Sequence, residues 1–183
     1  MNFLINLHHS VFGAIERMGD KWLLGLLARL VFVAVLLLYF WNSGWGKISG
    51  IGVDDSAYFT IMGFEKFEAF GADVANIPFY WKIIVHLGTY GELLLPLLIV
   101  VGLFTRIAAA GMAIFVIVQS YVDIAVHGVD AGTIGKLFDR HSESVIMDQR
   151  TLWMLIFALL VIKGAGALSL DHVLRNWWKG RSA

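Results

Sequence analysis

Residues 83–126 are IIVHLGTYGELLLPLLIVVGLFTRIAAAGMAIFVIVQSYVDIAV. They contain two apolar segments, 83–103 and 107–126, with Thr105 and Arg106 between them. An α-helix rises about 1.5 Å per residue, so each segment has close to the roughly 20 residues that cross about 30 Å of hydrocarbon. The sequence therefore predicts two antiparallel membrane-spanning helices joined by a short turn.

One more span is predicted on each side of this pair. Residues 22–41 form a third long apolar segment, whereas LWMLIFALLVI at 152–162 is unbroken for only 11 residues. That is about 16 Å of helix. We expect a fourth span over 151–170, because Lys163 can extend its ammonium toward the interface and the following small residues allow close helix packing. A half-helix that does not cross the bilayer is the alternative.

The composition requires a non-aqueous environment. The 183 residues are 58% hydrophobic and 15% charged, whereas soluble domains have about 25% charged residues. The net charge is zero, so nothing points to nucleic acid as a partner, and the absence of cysteine excludes a dithiol relay or a thiolate metal site in this chain. The predicted fold is an all-α integral membrane four-helix bundle, a single domain over residues 1–183.

Two further helices are predicted outside the spans. Residues 3–18 place apolar side chains at helical spacing, which favours an amphipathic helix on the inner membrane surface. Residues 57–71 are AYFTIMGFEKFEAFG, with candidate N-caps at 54–56 and Gly71 as a stop signal. This segment predicts a short helix in the outer loop between spans one and two.

The distribution of charge predicts the orientation. With these spans, one side of the membrane holds eight of the 14 basic residues but only three of the 14 acidic ones. Cytoplasmic segments are enriched in Lys and Arg, so both termini are predicted to be cytoplasmic. The eight basic residues are Arg17, Lys21, Arg29, Arg106, Lys163, Arg175, Lys179 and Arg181.

Polar side chains are predicted within the bilayer, descending from the outer face to just past the midplane: His127, Asp123, His86, Gln119, Glu92 and Arg29. A charge near the bilayer centre costs at least about 2.5 to 3.5 kcal/mol, so it needs a partner or a role. Residue counting puts His86 level with Asp123, where a buried pair is geometrically reasonable, and puts Arg29 within side-chain reach of Glu92 if their two helices touch. Pro96 leaves the Glu92 carbonyl without its helical partner, which predicts a kink there.

Two interpretations of these groups remain open. They could line a ligand pocket or proton route, or they could simply hold the helices together. No metal site is predicted, because His86 and His127 differ in depth by about 7 Å. Trp41 and Trp45 suit interfacial anchoring, with stacking against a quinone or another flat ligand as the alternative.

Several motifs together resemble the DoxX family of small four-helix bacterial membrane proteins. They are Leu-Ala-Arg around Arg29, WNSGWGK at 41–47, GELLLPLLIVVGLFTRIAA at 91–109 and KGAGALSLD at 163–171. The resemblance covers nearly the whole chain and implies a four-helix bundle in a bacterial inner membrane. It also implies a place beside membrane oxidoreductases such as thiosulfate:quinone oxidoreductase, or beside metal-binding peptides. Without cysteine, this chain cannot itself carry sulfur as a persulfide.

The leading functional hypothesis is an accessory or ligand-binding subunit of a quinone-linked redox system, with a partner oxidoreductase and no catalysis by this chain alone. Glu92 would hold a proton that His86 and Asp123 relay outward. The alternatives are a small transporter or metal-homeostasis component working with a metal-peptide system, and a non-catalytic assembly scaffold. The identity of the ligand and the oligomeric state do not follow from the sequence.

Overall fold

The computed structural model describes residues 2–19 and 23–181. The helices are α1 (Asn2–Met18), α2 (Leu24–Val35), α3 (Leu37–Trp45), α4 (Asp55–Met62), α5 (Phe64–Ala69), α6 (Phe79–Val101), α7 (Thr105–Ala125), α8 (Ala131–Ile134), α9 (Arg150–Lys163) and α10 (Leu170–Arg181). A 3₁₀ turn (Val74–Asn76) precedes α6, and a π-helical turn (Val145–Gln149) leads into α9. Strands β1 (Ile48–Ser49) and β2 (Gly52–Val53) form a small antiparallel hairpin after α3.

The predicted all-α membrane bundle is confirmed. Three helical stretches are long and apolar enough to cross a bilayer: Phe79–Val101, Thr105–Ala125 and Val145–Lys163. The pair α2 and α3 supplies a fourth when its two halves count as one span. Helix α9 packs against α2 and α7, and α6 packs against α3 and α7, so the four units form a closed ring. We call the end where α6 begins the loop end and the end where α7 begins the basic end.

The first span is bent, which the apolar pattern of 22–41 did not predict. Its halves meet at Leu36 with an angle of 47° between them, and the second half runs on to Trp45. Neither Pro nor Gly lies at the break, so packing sets the bend: Leu36 is buried in the core. The indole nitrogen of Trp41 donates to the Leu93 carbonyl at 3.2 Å, which holds α3 against the middle of α6.

The fourth span lies further toward the amino terminus than predicted. Helix α9 ends at Lys163 because Gly164 has a φ of 77°, so the expected continuation to residue 170 is wrong. The missing length comes from the π-helical turn at the other end of the helix, which is capped reciprocally by Ser144 and Asp148. Residues 164–169 instead turn back across the basic end and lead into α10.

The two helices predicted outside the spans are present. Helix α1 covers the expected segment, with Phe3 and Leu4 well exposed. The outer-loop helix is split into α4 and α5, because Gly63 adopts a φ of 84° between them. Asp54 caps α4 by accepting from the Ser56 amide at 2.9 Å, as predicted for this segment.

The core of the bundle lies between the midplane and the basic end. Its largest fully buried side chains come from all four units and include Phe32, Phe40, Ile99, Met112 and Phe157. A second, smaller cluster joins α4 to the loop end of α6. The space near the loop end of α6 and α7 is left partly open, which positions the site described below.

A close backbone approach at Gly25 provides a test of the packing at the basic end. A Cβ at this position would lie 2.9 Å from the Gly166 nitrogen and closer still to the Gly164 carbonyl. We expect Gly25→Ala to destabilise the protein by about 1 to 3 kcal/mol, because backbone atoms cannot move aside as a side chain can. Gly180→Ala, which meets only open space, is the control. Equal melting temperatures of these two variants in detergent would show that the contact is not made.

Candidate ligand-binding groove

A groove of about 500 Å³ runs between α6 and α7 at the loop end of the bundle. Gly88 and Gly91 on α6 line it, and the absence of side chains there provides its width. Residues of α4 cover its loop end, and it finishes toward the basic end at Leu95 and Gly111. Its volume is within the range of small-molecule sites, about 300 to 1,000 Å³.

The mouth of the groove is apolar. Ile84 and Leu87 of α6, with Ile114 and Val118 of α7, line it and are also exposed on the outside of the bundle. Exposed apolar side chains on membrane-spanning helices face lipid, so a molecule dissolved in the bilayer could enter between these two helices. We call these four residues the lips.

An ion pair also lines the groove. The Lys47 ammonium lies 2.5 Å from Glu92 Oε2 and 2.9 Å from Ser43 Oγ. The Glu92 side chain is only 1% exposed and that of Lys47 is 14% exposed. Glu92 is 13 residues into α6, about 20 Å along its axis, so the pair is deep in the span. In such surroundings the attraction between opposite charges is much stronger than in water.

Two side-chain oxygens near the groove lack partners. Within residues 2–19 and 23–181, neither Glu92 Oε1 nor Gln119 Oε1 accepts a hydrogen bond, although both atoms are buried. The Gln119 amide nitrogen donates to the Tyr39 hydroxyl at 3.1 Å, which leaves its oxygen as the free acceptor. A buried acceptor without a donor costs about 1 to 3 kcal/mol, and a ligand with O–H or N–H donors would satisfy it.

A second ion pair lies nearer the loop end. The Arg150 guanidinium is 2.6 Å from Asp123 Oδ2 and donates to Ser120 Oγ at 2.9 Å. The predicted pair of His86 and Asp123 is therefore wrong. His86 Nδ1 is instead 2.7 Å from the Lys82 carbonyl of its own helix.

The other predicted pair, Arg29 with Glu92, is also wrong. Arg29 lies at the basic end and donates to four backbone carbonyls: Ile99 at 3.0 Å, Val100 at 2.5 Å, Ala165 at 3.0 Å and Leu168 at 2.5 Å. Nearby, both carboxylate oxygens of Asp171 accept from the amides that begin α7, Phe104 at 2.8 Å and Thr105 at 3.0 Å. The Leu-Ala-Arg, GLFTR and SLD motifs thus meet in one structural cluster, away from the groove.

Comparison with known proteins bears on the same region. The DoxX family model matches residues 24–128, which is more than half of the chain. The chain belongs to the DoxX family. The matched segment contains α2, α3, α6 and α7, and therefore the groove and both residues of its ion pair. No curated protein and no solved structure matches the chain.

Four of the polar residues predicted as ligand or relay candidates line the groove of this DoxX protein: Glu92, Gln119, Asp123 and His127. His86 and Arg29 are outside its lining, as are both tryptophans proposed for stacking. Trp41 donates to a backbone carbonyl, and Trp45 is exposed. Within the described residues, no three His, Asp or Glu side chains gather in a way that could hold a metal ion.

Lys47, Ser43 and Arg150 are the functional candidates that sequence reasoning missed. Lys47 follows the end of α3, and Arg150 begins α9, so both were assigned to water-exposed segments. The available signal was a general one: a carboxylate buried in a membrane protein needs a cationic partner. Lys47 was already part of the WNSGWGK motif, although no partner was assigned to it.

The loops at the loop end carry carboxylates that stay ionised. Thr133 donates its hydroxyl to Asp130 at 2.6 Å, and this bond, with those from backbone amides, lowers the pKa of Asp130. Hydrogen bonds from Ser56 likewise lower the pKa of Asp54. Burial raises the pKa of Tyr58, and the charge of Asp55 adds to this effect. The carboxylates of Asp54 and Asp130 therefore keep their charge to a lower pH than an ordinary aspartate does.

Proposed function

We propose that the groove between α6 and α7 binds the head of a quinone-type molecule from the bilayer, and that the protein is an accessory subunit of a quinone-linked redox system. The observation that supports this proposal best is the Lys47–Glu92 ion pair, buried behind apolar lips. A quinone matches both surfaces, because its tail is soluble in lipid and its oxygens seek polar partners.

The polar atoms of the groove suit both redox forms of such a ligand. An ammonium has three N–H donors, and Lys47 uses two of them on Glu92 and Ser43, so the third could donate to a quinone oxygen. The hydroxyls of a quinol are donors, and the open acceptors Glu92 Oε1 and Gln119 Oε1 would suit them. A carboxylate at this place could also take up a proton released when a partner oxidoreductase oxidises the quinol.

The form of the groove favours ligand binding over transport. It ends about 9 Å short of the basic end of α6 and α7, where Leu95 lies against Gly111. Beyond that contact the bundle is filled by core side chains such as Ile99 and Ala108. A carrier would need a second opening toward the basic end, whereas a binding site needs only one entrance from lipid.

The proposal places the protein in a bacterial inner membrane as one multi-pass domain with both termini in the cytoplasm. Arg106, Arg175, Lys179 and Arg181 all lie at the basic end, and cytoplasmic segments are rich in such residues. The groove would then open in the outer half of the bilayer.

Filling the groove tests the proposal. A Cβ at Gly91 meets only ordinary contact with Leu95 at 3.9 Å, so Gly91→Leu should fold and project its side chain into the groove. We expect at least tenfold weaker binding of decylubiquinone to the protein in lipid nanodiscs, measured by titration calorimetry, because the leucine takes the place of the ligand. Gly91→Ala is the matched control and should bind within about threefold of the unaltered protein. Equal affinities for all three proteins would refute the assignment of the groove.

A further inference from the structure

A second cavity lies at the basic end of the bundle, whereas the groove opens toward the loop end. Its volume is about 440 Å³, and it is formed by the start of α7, the end of α9 and the start of α10. Three cationic side chains line it: Arg106, Lys163 and Arg175. We call it the basic pocket.

The charge of the basic pocket is markedly positive. Among the residues that the structure describes, its lining contains one carboxylate, Asp171, and both oxygens of that group already accept from the backbone amides that begin α7. His172 is held between Arg175 at 3.1 Å and Asn176 at 2.9 Å. Arg106 and Arg175 alone therefore outnumber this acid, which is occupied by the backbone.

The backbone of the turn after α9 forms part of the pocket wall. Gly164 and Gly166 both line it and have φ values of 77° and 78°, a conformation that disfavours any side chain. The Arg106 guanidinium lies within 3.4 Å of where a Gly164 side chain would begin. A larger residue in this turn would thus enter the space next to the cations.

Apolar surface borders the same pocket. Ile107 and Leu168 are each 72% exposed, and Phe104 is 60% exposed, at the level where α7 begins. Trp177 and Trp178 of α10 are exposed as well. Exposed aliphatic side chains next to cations and tryptophans are typical of the boundary between acyl chains and headgroups. A soluble anion would gain nothing from the apolar part of this surface, whereas a lipid would contact both parts.

From this combination we infer that the basic pocket binds the phosphodiester headgroup of an anionic phospholipid, with the acyl chains passing along Ile107 and Phe104. Basic pockets between membrane helices are suited to such headgroups. The site is separate from the groove and does not depend on the ligand proposed there. Bound lipid would tie α7, α9 and α10 together at the end of the bundle.

The test compares two double variants of the full chain in detergent, titrated with phosphatidylglycerol or phosphatidylcholine. Arg106→Gln with Arg175→Gln removes two charges from the pocket. Lys179→Gln with Arg181→Gln removes two charges from the same end, outside the pocket lining. By native mass spectrometry we expect the pocket variant to bind phosphatidylglycerol roughly 10- to 30-fold more weakly, and the control within about threefold of the unaltered protein.

A third variant separates loss of the site from loss of the fold. Arg106→Lys with Arg175→Lys keeps both charges and should retain the preference for phosphatidylglycerol over phosphatidylcholine. Equal weakening in the pocket and control variants would show diffuse attraction and overturn the inference. So would competition by inorganic phosphate or glycerol phosphate at the lipid's own concentration, which would identify a site for soluble anions. No preference for phosphatidylglycerol in the unaltered protein would also overturn it.

Discussion

Replacing Arg29 with leucine should lower the melting temperature of the purified protein by about 10 to 20 °C. Arg29 donates to four carbonyls that link α2, the end of α6 and the turn after α9. A hydrogen bond from a charged group contributes about 1.5 to 3 kcal/mol, so losing four should cost about 5 kcal/mol even after partial relaxation. For a chain of this size, 1 kcal/mol corresponds to about 2 to 4 °C.

Thermal unfolding in detergent, followed by circular dichroism, measures the effect of Arg29→Leu. Arg29→Lys should recover only part of the loss, because a single ammonium cannot reach carbonyls on both sides as a guanidinium does. Arg181→Leu is the control for loss of a cation, since Arg181 is exposed and stacks on Trp177 at 4.0 Å. A melting temperature of Arg29→Leu within 3 °C of the control's (roughly 1 kcal/mol) would refute the structural role.

The role of Arg29 shows why its partners were mispredicted. Its depth was predicted from the sequence, and the search for a partner considered only charged side chains. The last carbonyls of any helix lack intrahelical donors, and α6 ends at the level of Arg29. Those carbonyls, with two more from 164–169, satisfy the guanidinium without a carboxylate. Hydropathy cannot predict which turn of the chain packs across the end of a helix, because that packing is a feature of the tertiary structure.

The apolar segments predicted the order of the long apolar helices, but not their ends or bends. Length and hydropathy suffice for α6 and α7, because each is one unbroken run of suitable length. The bend at Leu36 has no local signal, and counting depth along a straight helix therefore left Lys47 outside the membrane. The fourth span gains its length from a π-helical turn and its cap, where the sequence from Ser144 to Gln149 is too polar to look like part of a span.

Helical periodicity explains which site residues were predicted successfully. Gln119, Asp123 and His127 recur every four residues, and all three line the groove as their shared face implies. His86 is six residues before Glu92, which rotates it by about 120° around α6 from that residue. It therefore lies on another face, between Tyr58 and Tyr90, with ring centroids 6.3 and 6.2 Å away. Equal depth was not enough to bring it to Asp123.

The Lys47–Glu92 pair should show strong coupling in a double-mutant cycle. Glu92→Gln leaves a buried ammonium with Ser43 as its remaining acceptor, and Lys47→Met leaves a carboxylate that is 1% exposed. Removing one partner of a buried pair typically costs about 3 to 5 kcal/mol, so each single variant should melt about 6 to 20 °C lower. The double variant, Lys47→Met with Glu92→Gln, removes both charges and should regain most of that loss, because uncharged side chains need no ionic partner.

Binding by the double variant then decides between the two interpretations of the buried polar groups. If the ion pair serves only to join α3 to α6, a double variant with restored stability should also bind decylubiquinone as the unaltered protein does. If the pair recognises the ligand, stability returns but affinity does not, because methionine cannot donate to a quinone oxygen. We expect the second result, with affinity in nanodiscs at least tenfold weaker, the equivalent of about 1.4 kcal/mol. Recovery of both properties would show that the pair only joins α3 to α6 and would make its proposed role in quinone recognition wrong, whereas Gly91→Leu tests the groove itself.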